Sequence, residues 1–317
     1  PYRLESVPAL YRALFSTILP VILSQTIYQI GYTVDDLLFG TIMTAKGMAE
    51  ETAVSLRGVF NTQYNQLINL PVAIASAMAA STIPGIVHSL VRGEMKDVHE
   101  KTDVVLKFNM SIAFPAAVGL AVLAEPIMSL LFPRLITYHG MAVSLLVSGS
   151  SAIVFYALST ISTAVLQGSD QMRLPVRHAG VSLLLHIGVV YGLLSFTNLG
   201  VYGLIIGNVT FPMIISLLNC LALKRKIGYR IRPREIFLLP LAAAVCMGIV
   251  AYVSYTLFFR LFFMLPRAFR LLSAFSLAGI LAVVSYVFFL LRLGAFSQEE
   301  LQGFGIAGRL VSRFAKR

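Results

Sequence analysis

Residues 55–85 read SLRGVFNTQYNQLINLPVAIASAMAASTIPG. Arg57, Asn61, Gln63, Tyr64, Gln66 and Asn69 crowd the first half, and the second half is almost all small or apolar. About 20 predominantly apolar residues suffice for a helix to cross a bilayer. Polar groups inside such a helix are costly and turn toward a bundle interior or a wet cavity. Blocks of the same kind recur along the 317 residues, which are 57% hydrophobic and 12% charged, with a mean hydropathy of +0.82. A soluble domain carries roughly 25% charged residues. The composition therefore predicts an all-α polytopic membrane protein.

Eight transmembrane helices are expected, near residues 13–39, 60–90, 104–132, 141–167, 175–197, 201–223, 236–264 and 269–293. Pro20, Pro71, Pro115 and Pro212 fall within these blocks. Proline frees a backbone carbonyl, which fits bent helices around a cavity. The net charge of +11 does not point to nucleic acid, because the basic residues sit in short loops between apolar blocks. Nineteen of the 25 fall on one side of the eight-span topology. By the positive-inside rule both ends of the chain are cytoplasmic, in a multi-pass protein of the cytoplasmic membrane. The tail over 297–317 is basic and reads as an interfacial helix or a frayed end. The chain begins at Pro1 without a signal-peptide pattern, so a longer parent chain is expected.

Cys220 and Cys246 lie inside apolar blocks and support neither a disulfide framework nor a metal site. No Gly-rich phosphate loop, nucleophile elbow or HExxH spacing is found, which disfavours an enzyme. No cofactor is implied.

On an ideal helix positions 57, 61, 64 and 68 share one face, so Arg57, Asn61 and Tyr64 form a stripe, with Gln66 and Asn69 nearby. That stripe is read as cavity lining. Arg57 has the forked donors to hold a phosphate, or it snorkels to water from a helix start. The first span carries Gln25 and Gln29 near its middle and then Asp35 and Asp36. Gln25, Gln29 and Asp36 share a face, while Asp35 is turned about 100° away and is expected to meet a loop or a neighbouring helix. Both aspartates are placed near the outer boundary of the span. From 171 to 234 there is no Asp or Glu, so the fifth and sixth spans are carboxylate-free; His178 and His186 are polar features there, and His186 is a candidate proton site.

Four stretches carry a resemblance: VDDLLFGTIM (34–43), LINLPVAIASAMAASTIPGI (67–86), STAVLQGSDQMRLPV (162–176) and LGVYGLIIGN (199–208). In order and spacing they resemble the polysaccharide flippase branch of the MOP exporter superfamily, in its MurJ-like and stage V sporulation protein B-like members. The resemblance implies the second six-helix lobe of such a flippase over residues 1–224. Two extra helices lining a lipid-tail groove follow over 225–296, and then the tail. It implies alternating access for a lipid-linked saccharide pyrophosphate, an undecaprenyl carrier of the lipid II type, with use in cell wall or spore cortex synthesis. The bilayer and an N-terminal lobe of the full-length chain are the implied partners. Arg57, Asn61, Tyr64, Gln66, Asn69, Gln25 and Gln29 are the expected substrate residues. Asp36, Asp35 and His186 are the expected coupling-ion residues, for a proton or sodium. Relatives carry an arginine where this chain has Gln66, and a second carboxylate in the fifth span where it has only His186. A cation-coupled multidrug exporter of the same superfamily, and a non-transporting scaffold or transferase subunit, are the alternatives.

Overall fold

A computed structural model describes residues 7–296. The predicted tail over 297–317 lies outside the described residues. Among the described residues ten helices follow one another when each π segment is counted with the α-helix it continues: α1 (Val7–Ala45), α2 (Glu50–Val91), α3 (Met95–Val122), α4 (Ala124–Leu131) and α5 (His139–Gly149), then α6 (Ala152–Gly168), α7 (Arg173–Phe196), α8 (Val201–Lys226), α9 (Arg234–Leu261) and α10 (Arg267–Arg292). Among the described residues, six helices are long and apolar enough to cross a membrane: α2, α3 and α7 to α10. The α5–α6 pair makes a seventh if it counts as one span. α1 is a helix of 39 residues.

The helices form because the apolar blocks leave no water to satisfy the backbone, so each peptide group must bond within its own segment. They run on through Pro20, Pro71, Pro84, Pro115 and Pro212. α1 packs on α7, α7 on α8, α8 on α6, α6 on α2 and α3, and α2 on α3. The α9–α10 hairpin docks mainly on α3. A polar clasp holds its entry. Tyr229 Oη donates to Asp103 Oδ1 at 2.6 Å, and Lys107 Nζ lies 3.2 Å from Glu235. His99 Nε2 meets the Ile227 carbonyl at 2.6 Å.

Three expectations about the helices are corrected. The third block does not run unbroken to residue 132. It ends at Val122, and the short α4 follows. The fourth block is not one helix, because α5 and α6 meet at a 46° bend. No proline causes this. The Ile153 amide turns to the Ser150 carbonyl at 3.1 Å, and the Gly149 carbonyl faces the Tyr64 hydroxyl instead, also at 3.1 Å. A Cβ at Gly149 would collide with the Tyr64 ring, so only glycine admits this wedge. The third correction is the π segment Val59–Tyr64 inside α2. It inserts one residue into the helical count and turns everything after it by about 100°.

Candidate functional site

The predicted polar residues fall into three places. The π segment decides the first division, because it turns Tyr64 off the face of Arg57 and Asn61 and into the protein. Tyr64 is fully buried rather than cavity-lining. Asn65, one position on, is buried as well, and its Nδ2 donates to Oδ1 of the exposed Asn61 at 3.2 Å.

The first place is a cleft of about 440 Å³ between α1 and α2, with α6 as its floor. Gln25 and Gln29 line it from α1, Asn69 and Ser76 from α2, and Thr160 and Gln167 from α6. Gln25, Gln29 and Asn69 are exposed. Gln66 is exposed one turn before Asn69 on the same helix. Tyr28, Tyr32 and Tyr156 also line the cleft, and none of its lining residues is Asp, Glu, Lys or Arg. Tyr28 Oη donates to Ser159 at 3.5 Å, and Tyr32 Oη to Tyr156 Oη at 3.3 Å. These bonds hold α1 to α6.

The second place is a separate cleft near the α1–α2 turn, lined by Asp36, Thr41, Thr44, Glu50 and Arg57. Asp36 does not continue the stripe of Gln25 and Gln29 into one cavity. Its carboxylate accepts from Asn61 Nδ2 at 3.0 Å, and its carbonyl accepts from Arg57 Nη1 at 3.0 Å. Arg57 Nε is buried with no partner.

The third place is a buried network. Asp35 is 4% exposed and His186 2%, so Asp35 is not at a wet helix end. The 100° between the two aspartates sends it inward, where Oδ1 meets His186 Nε2 of α7 at 2.8 Å. His186 Nδ1 faces the Gly207 carbonyl of α8 at 3.1 Å. A Cβ at Gly207 would lie 2.9 Å from the His186 ring, so glycine is what lets the imidazole seat against α8. Asn208 connects this point to α2 and α6, through Tyr64 at 3.0 Å and Tyr156 at 3.3 Å.

Tyr156, Asn65, Asn208 and Gln167 were not among the expected site residues. Asn208 and Gln167 sit in stretches that carried the resemblance, and they and Asn65 are polar groups inside apolar blocks, which is the signal that could have found them. Tyr156 looks like any aromatic in an apolar block.

A family model described as Lipid II flippase MurJ matches residues 1–294. The chain belongs to the MurJ family. Members are transporters, not enzymes, and the chain is accordingly a multi-pass membrane protein with a MOP-like fold. The uncharacterized membrane protein YabM of Bacillus subtilis (strain 168) is 25% identical over 271 residues, covering 86% of this chain and 49% of YabM. Stage V sporulation protein B of the same organism is 21% identical over 310 residues, covering 96% of this chain and 56% of the relative. The chain thus spans about half the length of the curated relatives it matches over most of its own length. Among solved structures, an outward-facing MATE-family multidrug resistance transporter of the MOP superfamily superposes with a TM-score of 0.52. It is 14% identical and covers 93% of this chain and 67% of that one. At that identity the likeness concerns the fold alone.

Proposed function

We propose that this chain is the C-terminal lobe of a MurJ-type flippase that moves a lipid-linked saccharide pyrophosphate across the cytoplasmic membrane by alternating access. Eight spans cross the bilayer, with α1 as the first and α5–α6 as one, and both ends are cytoplasmic. Residues 1–224 are the transport lobe. Residues 225–296 are the additional pair that lines a groove for the lipid tail, and 297–317 are the basic tail. The cargo is an undecaprenyl-pyrophosphate saccharide of the lipid II type, serving peptidoglycan or spore cortex, and the full-length chain supplies the N-terminal lobe.

The carrying observation is the uncharged polar cleft. Amides, hydroxyls and tyrosine rings without a charged residue suit the hydroxyl-rich, neutral sugar of such a lipid. The pyrophosphate needs cations. Arg57, which lines the cleft near the α1–α2 turn, offers one, and the N-terminal lobe of the full-length chain supplies the rest. A multidrug exporter of cations would be better served by a carboxylate in this cleft, and its lining has none.

The test is a lipid II accessibility assay in cells depleted of their own flippase. The full-length protein is expected to restore outward exposure of the lipid, and Gln29→Ala combined with Asn69→Ala is expected to reduce it at unchanged protein level. Rescue by the double variant at the wild-type rate removes the cleft from the mechanism. No rescue by the wild type removes lipid II as cargo.

A further inference from the structure

The hydrogen-bond partners of His186 fix its proton count. The Gly207 carbonyl can only accept, so Nδ1, 3.1 Å away, must carry a hydrogen. That leaves Nε2 facing Asp35 Oδ1 at 2.8 Å. A carboxylate also only accepts, and a neutral imidazole with its hydrogen on Nδ1 has a bare lone pair on Nε2. The 2.8 Å contact therefore requires one further proton, carried either by Asp35 as a carboxylic acid or by His186 as an imidazolium. In both forms the pair is neutral overall and holds one proton between two atoms. Release of that proton to water leaves a carboxylate against a lone pair, with a net charge of −1 in a buried place.

We infer that Asp35 and His186 form a single-proton binding site whose occupancy ties α1 to α7 and thereby sets the shape of the cleft. His186 is seated on α8, where Gly207 leaves room only for the imidazole and Val190. Asp35 belongs to α1, the helix that also carries Gln25 and Gln29, so a change at the pair acts on the lining of the cleft. The pair borders a void of about 10 Å³, lined by Tyr28, Gly31, Tyr32, Tyr156, Asn208 and Phe211. That space is no larger than a single water needs. Hard metal cations are held by several oxygens, and here the imidazole already occupies Asp35 Oδ1. The site takes a proton and excludes sodium.

The other titratable groups that face the pair are known. α1 brings Tyr28, Tyr32 and Asp36; α6 brings Tyr156; α2 brings Tyr64 through Asn208. α8 contributes Gly207, Asn208 and Phe211, which do not titrate. Arg57 is bound to the carbonyl of Asp36. A tyrosine hydroxyl keeps its proton across the neutral range, and the Asp36 carboxylate is held by Asn61, so the comparison with Asp35→Asn isolates the proton of the pair. The consequence for the cleft rests on the substrate reading given above; the proton site does not.

The test needs no transport. Spin labels at Thr44→Cys and Phe196→Cys are placed on the full-length chain in nanodiscs, with native cysteines replaced by serine. Both positions are exposed, at the ends of α1 and α7. Dipolar broadening is followed from about pH 5 to about 9, in sodium and in choline chloride. The wild type is expected to lose the close population with a one-proton slope, about tenfold per pH unit in the ratio of states. Asp35→Asn, whose amide donates to Nε2 permanently, is expected to stay close at every pH. In a second measurement on 15N-histidine protein, the His186 Nδ1 is expected to be protonated throughout. A flat wild-type profile, the same profile in Asp35→Asn, separation driven by sodium at constant pH, or an unprotonated Nδ1 each overturns the inference.

Discussion

The hydroxyl of Tyr64 lies 3.1 Å from the carbonyl oxygen of Gly149, at the point where the fourth block of the chain breaks into α5 and α6. Two departures from ideal helix geometry thus meet. The π segment of α2 turns Tyr64 inward, and the glycine opposite gives it room. Gly149→Ala is expected to lower stability by about 1–3 kcal/mol, as overpacked core substitutions do. Gly149→Ala combined with Tyr64→Leu should cost less than the sum of the two single changes. Urea unfolding in detergent checks both, and additive losses would show that the two residues are not wedged together.

Asp35 and His186 should be asymmetric in their tolerance. Asp35→Ala leaves the buried imidazole without its partner, and breaking a buried pair in this way costs about 3–5 kcal/mol. Asp35→Asn keeps a hydrogen bond to Nε2 and should cost well under half of that. Thermal unfolding of the two variants side by side makes the comparison.

The clasp that holds the α9–α10 hairpin has its own pH dependence. Burial, and then the bond to the Asp103 carboxylate, pushes the Tyr229 phenol well above its ordinary value. An unfolded tyrosine ionises near pH 10. A group whose folded value is raised adds stability below its unfolded value and loses it as pH rises through the folded one. The Tyr229 contribution should therefore be complete at neutral pH and fall away above about pH 10. Hydrogen exchange over residues 227–238 should show the loop loosening there. Tyr229→Phe should loosen it already at neutral pH, and its alkaline loosening should shrink.

Much of this fold was readable from hydropathy, because a bilayer forces long apolar blocks into helices wherever they occur. What was not readable arises from contacts between distant residues. Ser150 and Ser151 give no sign of a bend, which depends on Tyr64, 85 positions before Gly149. The π segment depends on the same packing, and so an ideal helical wheel placed Tyr64 on the wrong face. Asp35 and Asp36 were separable by the 100° step alone. That Asp35 meets His186, 151 positions away, required the packing of α1 on α7. Gln25, Gln29 and Asn69 were singled out as polar groups in apolar blocks, and the structure brings all three to one cleft. It sets Arg57 and Asp36 in another.

A charge placed in the neutral cleft should be poorly tolerated. Asn69→Asp sets a carboxylate where an anionic lipid must pass, and like charges in a confined site repel. Lipid II exposure in the depletion assay should fall further for Asn69→Asp than for Asn69→Ala, where about 0.5–1.5 kcal/mol of hydrogen bonding is lost. Equal effects would mean that Asn69 is not near the cargo.

Whether this cleft holds the sugar of a lipid-linked saccharide can be read by photocrosslinking from its lining. A photoreactive residue at Gln29 or Asn69 of the full-length protein is irradiated with lipid II or with undecaprenyl pyrophosphate lacking the saccharide. Strong crosslinking to lipid II and little to the bare pyrophosphate are expected. Equal labelling by the two lipids, or none by lipid II in a protein that still flips it, would contradict that placement of the sugar.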